Sequence, residues 1–159
     1  MKFFHTALIM FLLTATVAFA ADKPVEAPAD CKQCGMNRTK FAQSRMLITY
    51  SDGSSGTCSI NCVAVDLKAN KAKSVKSIQV GDYDNKKLID AKTATWVIGG
   101  KQRGVMTQVP KWAFAEKSAA EKFIKVSGGK LATFDEALKA AESEQKPQGD
   151  HKDHGSHKM

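Results

Sequence analysis

Two cysteine pairs hold most of the chemistry available to this chain of 159 residues. Cys31-Lys-Gln-Cys34 runs straight into Gly35 and Met36, and Cys58 and Cys62 form a second pair with three residues between them. Thiolates and thioethers are soft ligands. They select Cu(I), or Zn(II) where the thiolates alone are counted. Four thiolates in paired spacing also suit a tetrahedral Zn(II) site, although the second gap is one residue wider than a zinc ribbon uses. An even cysteine count in an oxidising compartment equally suits disulfides. Redox catalysis has less behind it. A reactive Cys-x-x-Cys normally opens a helix, whose N-terminus lowers the thiol pKa, whereas Cys34 leads into Gly35 and a polar loop. No helix N-terminus and no histidine is expected to activate these thiols. Haem attachment needs histidine where this chain has Gly35.

Met36 tips the pattern towards copper, because a thioether is a poor Zn(II) ligand and a good Cu(I) ligand. Gly35 lets the chain bend so that Cys34 and Met36 face one centre. Met106 lies in Gly104-Val-Met-Thr-Gln-Val-Pro110, where glycine and proline predict a loop. Core packing is the alternative role for both methionines, and Met46, inside a strand pattern, is expected in the core. The C-terminal His151, His154 and His157 suit weak collection of Cu(II), Ni(II) or Zn(II), or are simply part of a solvated polar tail.

These residues need elements to position them. Arg45 to Tyr50 reads as a strand, and Ser51-Asp52-Gly53 as a hairpin turn into a return strand over Ser54 to Cys58. Ser59 is placed to cap a helix over Ile60 to Ala69, which Asn70 stops. Val75 to Val80 alternates as a strand does. A similar order then returns. Ala94 to Ile98 and Trp112 to Phe114 read as strands. Ser118 with Glu121 marks a capped helix that buries Ala119, Ala120, Phe123 and Ile124 and ends at Gly128-Gly129. Leu131 to Thr133 reads as a short strand and Asp135 to Ser143 as a last helix. The expectation is an α+β fold with two small, similar ββαβ modules in tandem, at 30–92 and 93–143. A flexible segment at 21–29 precedes them and a disordered tail at 144–159 follows.

Residues 1–20 have the parts of an export signal: Lys2, an apolar run from Ala7 to Phe19, and a small-x-small site at Ala18-Phe19-Ala20 that predicts cleavage between Ala20 and Ala21. The run is short for a bilayer span. The expected location is therefore outside the cytoplasmic membrane, in the periplasm where the cell has one. The formal charge of +8 tempts a nucleic-acid reading. The lysines are scattered over helices and turns without interleaved aromatics, which argues for a solvated basic face and against nucleic acid. Contact with a membrane surface or an acidic partner stays open.

The chain resembles the NosL family, the copper accessory proteins associated with nitrous oxide reductase. The resemblance rests on Cys31-Lys-Gln-Cys-Gly-Met36, Gln79-Val-Gly-Asp-Tyr83, Leu88-Ile-Asp-Ala91 and Ala94-Thr-Trp-Val-Ile-Gly-Gly100. It continues through Met106-Thr-Gln-Val-Pro110, Ala113-Phe114, Ser118-Ala-Ala-Glu-Lys-Phe123, Gly128-Gly-Lys-Leu131 and Phe134-Asp135, so it spans roughly Asp30 to Leu138. It implies an exported Cu(I) carrier built from two ββαβ modules, not an enzyme, that serves a copper-requiring client or its assembly machinery. Carried over by residue, it implies Cys31, Cys34, Met36 and Met106 as metal ligands. Two features depart from the family pattern. Many members are lipoproteins, whereas this signal is plainly cleavable. Cys58 and Cys62 stand where an aromatic-rich segment is expected, which adds them to the candidate ligands. The alternative is a Zn(II)- or disulfide-stabilised binding module with no transfer role. The spacing of the pairs leaves open whether all four thiols meet. Sulfurs within about 4 Å of each other would mean one shared site or a bridge.

Overall fold

A computed structural model describes residues 25–145. The export signal and the histidines of the tail lie outside them. The order is β1 (Met46–Tyr50), β2 (Gly53–Thr57), α1 (Ile60–Ala69), β3 (Val75–Gly81), β4 (Leu88–Asp90), β5 (Thr95–Ile98), β6 (Lys111–Phe114), α2 (Lys117–Ser127), β7 (Lys130–Ala132) and α3 (Phe134–Glu144). Among the described residues no helix is long and apolar enough to cross a membrane.

The fold is α+β, with two antiparallel sheets ordered β2-β1-β3-β4 and β6-β5-β7. In each sheet the earliest strand sits between the strands that precede and follow a helix. β1 alternates as its sequence demands: Met46, Ile48 and Tyr50 are buried, Leu47 and Thr49 less so. Its hairpin pairs Tyr50 with Gly53. The two loop residues are therefore Ser51 and Asp52, and the glycine of the expected Asp-Gly turn opens β2 instead. β4 is a three-residue edge strand paired with the end of β3, and the sequence pattern did not mark it as a strand.

One apolar cluster joins the two sheets. Met46, Ile48, Val63, Ile78 and Val80 meet Trp96 and Ala113, with Phe134, Ala137 and Ala141 of α3 closing over them. Burying each of the larger side chains contributes about 1.5–3 kcal/mol. Trp96 packs against Phe134 with ring centres 6.0 Å apart, and its indole nitrogen donates to the Ala91 carbonyl at 2.9 Å. The opposite faces of β5 and β6 carry Val97, Trp112 and Phe114 into a second cluster. That cluster holds the cysteines.

Two caps differ from expectation. α2 begins at Lys117 with Glu116 as N-cap and no side-chain cap bond, so Ser118 and Glu121 form no capping box. The box forms instead at α3, between Thr133 and Glu136. Both pairs have the right spacing. Only Thr133 stands where the backbone leaves the helix in an extended conformation.

Candidate metal centre

The loop carrying the first pair closes on itself. The Cys31 amide donates to the Met36 carbonyl at 2.8 Å, and the Gly35 amide donates to the Cys31 carbonyl at 2.8 Å. Gly35 has φ of 74°, a left-handed conformation that glycine adopts without a Cβ penalty. The loop is then tied to β2, where the Lys32 amide reaches the Gly56 carbonyl at 3.0 Å. It is also tied to α1, where Gln33 Nε2 donates to Asp66 Oδ2 at 2.8 Å. Asp66 is fully buried and also accepts from Tyr50 and Ser55, each at 2.6 Å, and from Asn70. Burial works against its ionisation, but these bonds outweigh it and hold its pKa below the usual carboxylate value.

The second pair brackets the start of α1. Cys58 ends the stretch after β2, and its carbonyl accepts from Ser44 Oγ at 2.8 Å. Cys62 stands in the first turn of the helix. The sequence reading expected no helix N-terminus near the thiols, and this placement corrects it. Ser59 is the N-cap residue, as its position predicted, yet its side chain makes no capping bond.

All four sulfurs converge. Their Sγ atoms lie within 4.8 Å of one another. Cys34 to Cys58 is 3.5 Å, Cys58 to Cys62 is 3.7 Å and Cys34 to Cys62 is 3.8 Å. None is bridged: all four are free thiols. Metal–sulfur bonds of about 2.3 Å require sulfur–sulfur edges of about 3.8 Å in a tetrahedron or about 4.0 Å in a trigonal plane. The observed edges fit a single soft ion with little rearrangement. Cys31, Cys58 and Cys62 are buried, and Cys34 is half-exposed.

The thiols do not titrate alike. The hydrogen bond shared with Cys58 draws Cys62 down to about 6, helped by Cys31 and Cys34. The same bond and burial push Cys58 far above the ordinary thiol range. Burial pushes Cys34 up to about 11. Cys62 lies where the N-terminus of α1 favours negative charge.

Met36 is half-buried and packs against the apolar cluster that holds Cys31, Cys58 and Cys62, as Phe41, Tyr83 and Phe123 also do. Met106 is different. It is 51 % exposed, has φ of 52°, and does not belong to the cluster, although the adjacent Val105 does. Its loop is latched by the buried ammonium of Lys111, which pairs with Glu144 and donates to Asn61 Oδ1 at 3.3 Å and Thr107 Oγ1 at 3.0 Å. Glu144 also accepts from Thr107 and from Asn61 Nδ2 at 3.1 Å. The residue after Met106 is thereby linked to the residue before Cys62. The network gave no motif-level signal, because its members are far apart in the sequence.

Among the described residues two buried side-chain donors have no partner: Ser59 Oγ, on the residue after Cys58, and Trp112 Nε1, in the apolar cluster that holds Cys31, Cys58 and Cys62. Leaving a buried donor unpaired costs about 1–3 kcal/mol. The Ser59 hydroxyl is close enough to Cys62 to help lower its thiol, but it makes no bond of normal geometry. A groove of about 560 Å³ runs between α1 and α3 along Ala64, Leu67, Lys68 and Glu142, and no cysteine lines it.

The family model of NosL matches residues 22–141. The chain belongs to the NosL family. No curated protein matches it. Among solved structures, the copper chaperone NosL from Shewanella denitrificans is similar at 27 % identity and a TM-score of 0.56, over 70 % of this chain and 91 % of that one. As a member of the NosL family the chain is not an enzyme.

Proposed function

We propose that this protein is an exported Cu(I) metallochaperone that binds the ion on cysteine sulfur and passes it to a copper-requiring client or its assembly machinery. The convergence of four free thiols within 4.8 Å carries the reading. Soft thiolates favour Cu(I), and a solved relative is a copper chaperone. In this reading Cys31, Cys34, Cys58 and Cys62 hold the ion. Cys34, the half-exposed sulfur, is the ligand that an incoming donor displaces from the ion during transfer. Met36 lies against the cluster as a neutral sulfur donor, and exposed Met106 is the first sulfur met by copper or a partner. The two similar sheet-and-helix units are a duplicated ββαβ module, with the second thiol pair grafted onto the helix start of the first.

A second reading has its own support. The sulfur–sulfur edges match a closed four-thiolate Zn(II) site, in which the metal would serve the fold. Anaerobic loading of the reduced chain with Cu(I) and, separately, Zn(II) distinguishes the two. The carrier reading expects tight Cu(I) retention, loss of it in Cys31→Ser with Cys34→Ser, and ready transfer to a thiol acceptor. Equal copper retention in that variant would overturn it. Firmly held Zn(II), with collapse of the fold on chelation, would establish the structural reading.

A further inference from the structure

Among the described residues, the buried side-chain nitrogen and oxygen atoms without a partner are Ser59 Oγ and Trp112 Nε1. Ser59 stands between Cys58 and the helical turn that carries Cys62. Trp112, 1 % exposed, shares an apolar cluster with Cys31, Cys58 and Cys62. Trp96 provides an internal comparison: it is equally buried, and its indole nitrogen has the Ala91 carbonyl as partner.

Folded interiors pair nearly all such groups. Two unpaired buried donors, one beside a thiol pair and one in the apolar cluster that holds three of the cysteines, point to an acceptor that strengthens when all four sulfurs are ionised. A thiol sulfur is a weak acceptor, whereas an ionised one takes charge-assisted hydrogen bonds. Four thiolates around a monovalent or divalent ion leave net negative charge in an apolar surround. The buried Lys111 ammonium is already committed to Glu144. Polar hydrogens must answer that charge.

We propose that Ser59 Oγ and Trp112 Nε1 are the outer hydrogen-bond donors of the thiolate centre, unpaired in the metal-free chain and satisfied by sulfur once a soft ion is bound. The proposal rests on the four thiols being a metal site. Both would act as positioning residues, donating to the ligands and not to the ion. Outer partners of this kind orient ligands and set affinity, and hydrogen bonds to metal-bound sulfur tune its electron density.

Indole N–H resonances of the reduced, ¹⁵N-labelled full chain test this, recorded anaerobically before and after adding Zn(II) or Cu(I), both of which are diamagnetic. Trp112→Phe assigns the two signals. The Trp112 N–H is expected to move downfield and to exchange more slowly on loading, while the Trp96 N–H stays in place. Competition against a chromophoric chelator should show affinity about 10-fold weaker in Trp112→Phe and in Ser59→Ala. The thermal midpoint of Ser59→Ala without metal should be unchanged or raised, because an unpaired donor has been removed. Trp112→Phe also loses buried ring volume, so its readout is a larger fall in the loaded protein than in the metal-free one. A merely structural role would lower stability equally with and without metal, and that result overturns the proposal. So does a Trp112 signal that stays fixed in protein that retains metal through its cysteines, an outcome that leaves the metal-site reading intact. A wild-type chain that retains neither ion overturns both.

Discussion

Asp66→Asn is the sharpest perturbation of the scaffold behind the sulfur site. The carboxylate is fully buried and takes four side-chain bonds. Oδ2 serves Ser55 and Gln33; Oδ1 serves Tyr50 and Asn70. Asparagine has nearly the same shape but offers one oxygen, so two donors then face an NH₂ group. Hydrogen bonds to a charged group are each worth about 1.5–3 kcal/mol. The hydroxyls of Tyr50 and Ser55 can rotate to accept from the new amide, which recovers part of the loss. The expected destabilisation is about 3 kcal/mol at pH 7, a fall in thermal midpoint of roughly 10 °C for a domain of this size. The pH dependence has a definite sign. The folded pKa of Asp66 is lowered, so its stabilisation is complete above the unfolded value of about 4 and disappears as pH falls through the folded value. The gap between wild type and variant should therefore be full at pH 7 and narrow in acid. Urea unfolding of the reduced, metal-free chain, followed by circular dichroism across that range, measures it. A loss below about 1 kcal/mol at pH 7, or a gap that does not narrow in acid, would refute the reasoning. Gln33 lies between Cys31 and Cys34, so the same variant should also weaken metal retention.

The Lys111–Glu144 pair should respond asymmetrically. Glu144→Gln leaves a 1 % exposed ammonium among neutral acceptors and is expected to cost about 3 kcal/mol or more. Lys111→Met leaves a 22 % exposed carboxylate that keeps donors from Thr107, Asn61 and Gln108, and should cost about 1–2 kcal/mol. Thermal denaturation checks the order, and the reverse order would contradict the assigned burial. Metal binding should release about one proton fewer at pH 7.5 than at pH 5, because Cys62 titrates near 6 and is already ionised at the higher pH. Calorimetry in buffers of different ionisation enthalpy reads this difference, and equal release at both values would place the thiolate elsewhere.

Local patterns in the sequence reached the elements but not their assembly. α1 is legible at both ends, because Ser59 and Asn70 flank a run with the composition of a helix. β1 is legible from its alternation. β4 is not, since three residues on a sheet edge carry too short a pattern to separate from a loop. The helix-start signal at Ser118 and Glu121 misled, because spacing alone does not say where the backbone turns extended. The sulfur site shows the same limit. Both cysteine pairs and the start of α1 stood in plain view, so the placement of Cys62 at a helix N-terminus was within reach. That the pairs meet was not, because the meeting depends on Gln33 reaching Asp66 and on Lys32 reaching Gly56. The partnerless indole of Trp112 depends on the register of β5 with β6, which points Trp112 and Val97 away from Trp96.

The most direct measurement is X-ray absorption at the copper edge of the anaerobically Cu(I)-loaded full chain, compared with Cys58→Ser together with Cys62→Ser. One shared centre predicts a sulfur-only shell at about 2.3 Å, containing at least three sulfurs and losing sulfur in the double variant. A shell of nitrogen or oxygen, or a two-sulfur shell that the double variant leaves unchanged, would contradict it.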